Sequence, residues 1–459
     1  MKSLKPLVVS LAILGSSVSS QAVAQANPST SEEIAALRAE LIRMSDRLAE
    51  LEQELAETKQ TANTAIEASA EASAEASALA ANVAEDDELN VKFKAAPEMS
   101  DGNGWSFKPR GRINMDFGYV GAPSSTGADS GFDAEARRVR LGASGKIPGG
   151  FGYKVEADFG ENDLALKDAI ITYSDGGLTL TAGQHNTFQG LEELSSSLNT
   201  SFIERSAWTD AFGFERRIGV SAQYKTDNVL LQGGVFADDS EDLPNGNNSF
   251  DGRVVFAPKT GSTQLHFGGS IHYNNLGDGS TVRYRARPLV HFTDDRFVNT
   301  GRFSAESEFG LGLEAAAIAG PFHVALEGFS QSVDRPTGFE DPSFFGASAE
   351  VGMFLTQGDR RGYKLGKFDR VKPQSPVGEG GMGALQVNLR YDHLDLNDKD
   401  ILGGTQDSVQ ASLIWTLTDY TRLLFNYGLL SYDDAAFPED DGNTSYDVHV
   451  FGVRAQVDF

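Results

Sequence analysis

Phe451-Gly452-Val453-Arg454-Ala455-Gln456-Val457-Asp458-Phe459 closes the chain with apolar residues at every second position and Gly, Arg, Gln and Asp between them. A repeat of two puts one set on each face of a strand. One apolar and one charged face suits a strand between lipid and water, with the apolar side outward as in a membrane barrel. At the other end, Lys2 and Lys5 flank the start of an apolar run from Leu7 to Leu14, followed by small-residue cleavage sites at Ala22-Val23-Ala24 or Ala24-Gln25-Ala26. That is the layout of a secretory leader over residues 1–26. The run is too short to cross a bilayer as a helix, and no later segment has the apolar length that a spanning helix needs. Membrane residence would therefore rest on strands, which points to the outer membrane of a Gram-negative bacterium.

Composition agrees with a long antiparallel sheet with tight turns and aromatic girdles: 49 Gly, 29 Phe and 12 Tyr against 15 Pro. With no Cys, the chain has no disulfide framework and no thiolate metal site. The net charge is -26, of which residues 31–88 supply 11 through 15 acidic and 4 basic residues. Such acidity argues against nucleic acid as a partner.

Between the leader and the strands, Ile34, Leu37, Leu41, Met44, Leu48, Leu51 and Leu55 are spaced alternately by three and four, the seam of a coiled coil. Residues 27–90 are expected to form a helical arm in the periplasm. About 53 helical residues would reach roughly 80 Å, enough to contact the cell wall. Charge, Pro97 and glycines mark a linker at 91–104.

From Trp105 the period changes to two. Trp105, Phe107, Ile113, Met115, Phe117 and Tyr119 share one parity, and Lys108, Arg110, Arg112, Asn114 and Asp116 the other, so the first strand is expected to present three cations inward. The alternation returns at 139–143, 151–159, 218–224, 385–391, 409–417 and 423–429, with Trp415 and Tyr427 as candidate girdle residues. The fold class is thus all-β, a transmembrane antiparallel barrel over 105–459. At roughly 20 to 24 residues per strand with its loop it would hold about 16 strands, a size that leaves a wet channel.

Two basic sets stand out. In Arg283-Tyr284-Arg285-Ala286-Arg287, an extended backbone would project three guanidiniums from one side at about 7 Å spacing, a ladder along which an anion could pass. Arginine suits phosphate, because its planar fork donates two parallel hydrogen bonds and keeps its charge. Pairing with acids such as Glu306, Glu308 or Glu314 is the competing expectation. The second set joins Arg137, Arg138 and Arg140 to Lys108, Arg110 and Arg112, with Arg216 and Arg217 further on. Lumen cations bias a pore toward anions, whereas rim cations would meet lipid head groups. Parity opposite to Val139 and Leu141 places Arg138 and Arg140 on the lumen side.

Enzymatic signals are weak. Gly142-Ala143-Ser144-Gly145-Lys146 lacks the length and the hydroxyl after lysine of a phosphate-binding loop, and is expected to be a hairpin. There is no Gly-x-Ser-x-Gly and no His-Glu-x-x-His, and His266 and His272 share parity without other ligands nearby. No catalytic residue, metal site or cofactor is expected.

The ordered series Arg137-Arg138-Val139-Arg140-Leu141-Gly142, Phe151 to Phe159, Lys167-Asp168-Ala169, Gly183-Gln184, Gly190-Leu191-Glu192-Glu193, Ile203-Glu204-Arg205-Ser206 and Arg216-Arg217-Ile218-Gly219-Val220 resembles the phosphate-selective porin O and P family over about residues 105–459. The resemblance implies a 16-stranded homotrimeric barrel in outer-membrane lipid, with an arginine ladder and a narrow zone lined by arginines and lysines. It places Arg283, Arg285 and Arg287 on the ladder and Arg137 and Arg138 in the narrow zone. This chain departs from the family where lysines are usual, carrying Glu193 and Leu198, and a carboxylate there raises the barrier to an anion. The expected function is passive diffusion of small solutes, anions such as phosphate foremost. The alternatives are a general or cation-preferring porin, or a tether whose barrel only anchors the arm.

Overall fold

The computed structural model describes Gln53 and residues 89–459, apart from 161–163, 215, 241–242 and 244–245. The expected leader, and the coiled-coil arm up to residue 88 save Gln53, lie outside the described residues.

Sixteen antiparallel strands close into one barrel. They are β1 (Ser106–Gly121), β2 (Gly131–Ile147), β3 (Phe151–Asp158), β4 (Ala165–Asp175), β5 (Leu178–Asn186), β6 (Arg216–Lys225), β7 (Val229–Phe236) and β8 (Asn248–Phe256). The second half comprises β9 (Thr263–Asn275), β10 (Ser307–Ala319), β11 (Phe322–Asp334), β12 (Ser343–Phe354), β13 (Ala384–Asp398), β14 (Ile401–Thr418), β15 (Thr421–Asp433) and β16 (Tyr446–Asp458). Each pairs with its neighbour in sequence, and β16 returns to β1 with Phe451 opposite Tyr119 and Arg454 opposite Asp116. Closure leaves no unpaired edge for lipid to meet.

Alternation decides what each face holds. Along β16, Phe451 and Val457 are exposed on the outer face while Arg454, Gln456 and Asp458 are buried inside. Phe459 is tied back by paired backbone hydrogen bonds with Gly111 at 2.9 and 3.0 Å. A Cβ on Gly111 would lie 2.1 Å from the Phe459 ring, so the aromatic end needs a glycine beneath it.

Two sequence expectations are corrected. Gly142 to Lys146 is not a hairpin but part of β2, and the reversal falls at Gly149 and Gly150, with φ of 89° and 88°. A Cβ at Gly142 would sit 2.3 Å from the Val155 carbonyl oxygen, so that glycine serves close strand approach rather than a turn. The linker expected at 91–104 carries a β-hairpin, Leu89–Lys94 against Ala96–Asp101, which continues into β1 through Met99 opposite Phe107.

Turns on one rim are mostly short, and the connections on the other are long, the asymmetry of periplasmic and extracellular rims. Three long connections fold into the lumen: 187–215 and 276–306 from the long-loop rim, and 355–383 from the short-turn rim. The apolar residues of 187–215 and 276–306 form the largest internal core, in which Trp208 and Phe212 pack against Phe329, Tyr284 against Phe344 and Phe297 against Tyr432 of the wall. Burying each such ring contributes about 1.5–3 kcal/mol. These two segments are thereby fixed on the β11–β16 side, whereas 355–383 packs Leu365 by Leu230 and Val255, and Phe368 by Ala316, Ile318 and Ala325.

Candidate functional site: the luminal constriction

The segment 187–215 leaves β5 and enters the barrel because it is too apolar for water, with Phe188, Leu191, Phe202, Ile203 and Trp208 all buried. Its backbone polar groups find partners on the wall. The N–H groups of Leu191 and Glu192 donate to the Glu327 carboxylate at 2.6 and 2.9 Å, and Ala207 N–H donates to Asp392 at 2.6 Å. Arg422 donates to the carbonyls of Leu198 and Thr200, and Arg454 to that of Ile203. Two glycines make room: a Cβ on Gly346 would meet the Trp208 Cβ at 2.1 Å, and one on Gly452 the Ile203 Cδ1 at 2.2 Å.

Where the loop meets β2 and 276–306 it borders a cavity of about 230 Å³. Arg137 and Arg138 both line it, although neighbours in a regular strand face opposite ways. A bulge in β2 explains this: Asn114 pairs with Arg138 and Asp116 with Glu135, so two residues of β2 oppose one of β1. Arg137 forks onto the Glu204 carboxylate at 2.9 and 3.2 Å, and Arg454 reaches the same carboxylate at 2.7 Å. Burial pushes Glu204 up, but Arg137, Arg138 and Arg454 outweigh it and hold it well below the usual carboxylate range. Arg138 differs. It is 5 % exposed, its guanidinium donates no hydrogen bond among the described residues, and the carboxylate oxygen within ion-pair reach, on Glu204, is at 3.9 Å.

Glu193 also lines the cavity, with Arg205 at 3.1 Å, and burial pushes its carboxyl up despite that arginine. Arg205 also donates to the carbonyls of Glu192, from the same Nε, and of Glu193 and Ser195. Toward the short-turn rim, the wall cations are paired: Arg140 with Asp158 at 2.6 Å, Lys154 with Asp168 at 2.5 Å and Arg216 with Asp168 at 3.0 Å. Arg112 donates to Ser197 at 2.8 Å and lies 3.9 Å from Glu156. Lys108 and Arg110 share the face of Arg112 nearer the rim, where Arg110 is exposed.

Arg283, Arg285 and Arg287 lie in the inserted segment 276–306 rather than on the barrel wall, held extended by a short pairing of Arg285–Ala286 with Val298–Asn299. Tyr284 and Ala286 point into the apolar core, so the three arginines share the other face. Of the carboxylates considered as their partners, Glu308 is occupied by Tyr284 and Asn274 and Glu314 by Arg253 and His266, while Glu306 is exposed and forms no ion pair with them among the described residues. Arg287 instead reaches Asp294, a fully exposed acid, at 3.5 Å. Arg296 and Arg302 extend the row. Burial, reinforced by Arg287, pushes the Arg296 guanidinium down to about 10, and Arg302 sits close enough to Arg283 to lower it as well. Neither belongs to an alternating run, so parity gave no signal for them.

The insertion 355–383 also went unread. Its cations Arg361 and Arg370 were visible, but their contacts were not: Arg361 stacks on Phe368, 4.5 Å from the ring centre, and Arg370 pairs with Asp458. Phe368 N–H donates to Ser195 Oγ at 2.9 Å, joining this insertion to the constriction loop.

Residues 107–459 match the family model described as phosphate-selective porin O and P. The chain belongs to that family. A Caulobacter vibrioides protein described as uncharacterized is 42% identical to the porin, over 99% of this chain and 97% of its own. Among solved structures, an anion-selective porin from Comamonas acidovorans is 14% identical with a TM-score of 0.50, covering 77% of this porin and all of its own chain (100%). OmpT, an outer membrane protein of Vibrio cholerae, is 9% identical with a TM-score of 0.50, covering 77% and 98%. These two share the barrel fold with the porin. Family and fold together make this an outer-membrane channel rather than an enzyme.

Proposed function

We propose that the protein is a passive outer-membrane channel that prefers small anions, phosphate among them. The observation that carries the reading is Arg138, a nearly buried guanidinium at the constriction whose hydrogen-bonding capacity is unspent on the protein. A buried donor group without a partner is costly, and an anion in transit supplies that partner. Arg283, Arg285, Arg287, Arg296 and Arg302 lower the approach barrier on the long-loop side, whereas Glu193 raises it at the narrows. Phosphate is thereby admitted but not strongly favoured.

Reversal potentials in planar bilayers under a potassium chloride gradient test this. Chloride should carry more current than potassium, and Arg138→Gln should lower that preference several-fold. A wild-type channel preferring potassium would refute the reading and leave a general or cation-preferring porin.

Assembly as a homotrimer is proposed with it, supported by the wall β3–β8. Its strands have only 8 to 11 residues, and Ala182, Ala222 and Gly233 line a groove on its lipid side where another barrel could approach closely. Cross-linking in detergent should give a threefold band.

A further inference from the structure

The lining that Arg138 shares is not wholly polar. Phe214, Leu289 and Val290 line the same 230 Å³ cavity as Arg138 and Arg287. Phe214 is held in place edge-on against Phe329, with ring centres 4.8 Å apart, and 5.8 Å from Trp208. Leu289 occupies the left-handed region at φ 61°, and its N–H donates to the Arg287 carbonyl at 2.8 Å around Pro288. Bulky residues rarely take that conformation, so the tight turn fixes Leu289 beside the arginines against its own preference.

Inorganic phosphate presents hydrogen-bonding oxygens in every direction and gains from donors on all sides. This cavity gives it arginine donors together with hydrocarbon, and the carboxylates of Glu193, Glu204 and Asp210 within the same lining. Desolvating a phosphate oxygen against Phe214, part-exposed where Leu289 and Val290 are buried, would be unfavourable, whereas the same ring rewards a hydrocarbon chain. The volume holds several waters' worth of solute, room for a small organic acid.

We infer that the constriction selects small organic anions, with the carboxylate on Arg138 and the hydrocarbon part against Phe214, Leu289 and Val290, over inorganic phosphate. This rests on the anion-preferring reading. A single carboxylate fits one spare guanidinium, and its alkyl part replaces water on the apolar wall.

The test is block of the chloride current through the full-length channel in planar bilayers by acetate, propionate, butyrate and valerate, with inorganic phosphate alongside. On the wild type, the blocking concentration should fall by two-fold up to about four-fold per methylene, and phosphate should block less well than valerate. Phe214→Ser should flatten the series, and Arg138→Gln should weaken every member of it. A flat wild-type series with chloride preference intact overturns the inference while the anion-preferring reading stands. A rising series that Phe214→Ser leaves unchanged puts the apolar contact elsewhere and also overturns it. Preference for potassium in the wild type removes both.

Discussion

Glu193 and Glu204 are carboxylates of one short segment, yet their surroundings separate them. Three arginines hold Glu204 charged, whereas Glu193 has, among the described residues, one ion-pair partner, Arg205, and one hydrogen bond, from Asn186 at 3.3 Å, and burial pushes its carboxyl up. Glu193 therefore takes a proton first as pH falls, and its barrier to anions goes with its charge. The ratio of chloride to potassium permeability should rise between pH 7 and pH 5 and return when pH is restored. In Glu193→Gln it should start high and stay flat over that range. An equal pH response in wild type and variant would assign the titration to another group.

The constriction loop and the arginine row are separable elements, each with its own attachment. The loop docks where the wall lacks side chains, and Gly346 leaves the space that the Trp208 Cβ fills. Gly346→Leu should push Trp208 off the wall, giving higher single-channel conductance and weaker ion preference with the barrel still inserted. Unchanged conductance would show that the loop does not set the narrowest point. The row acts at longer range through water, where screening confines a charge to about 8 Å at physiological ionic strength. Replacing Arg283, Arg285 and Arg287 by Gln should cut chloride conductance strongly at 0.05 M salt and little at 1 M salt. A loss independent of salt would mean direct contacts rather than a field.

For the molecule as a unit, the question is whether channel activity resides in the barrel. Among the described residues, the sixteen strands close into a barrel and bury inward-facing polar side chains. Deleting residues 27–88 should leave single-channel conductance and reversal potential unchanged. A deletion that abolished current would tie the amino-terminal segment to pore formation. Removing Phe459, whose ring lies over Gly111 and whose backbone pairs with it, should slow membrane insertion, read as the fraction of heat-modifiable protein in outer-membrane preparations.

Much of this was legible from the chain alone, because a barrel strand writes its environment into every second residue. The outer and inner faces of β1 and β16, the strand number and the shared side of Arg283, Arg285 and Arg287 followed from parity and length. Parity is local, however, and fails wherever the backbone leaves the regular repeat. Arg137 reaches the lumen beside Arg138 only through the bulge opposite Met115, and no alternation rule announces a bulge. The inward folding of 187–215 and 276–306 depends on apolar residues finding Phe329, Phe344 and the wall glycines, contacts between positions more than a hundred residues apart for Trp208. Charge pairing is equally nonlocal: Glu204 meets Arg137 and Arg454 from two different strands. Sequence therefore specified which side of a strand faces water, and the folded barrel decided which cations remained unpaired, because only closure brings distant carboxylates within reach of each guanidinium.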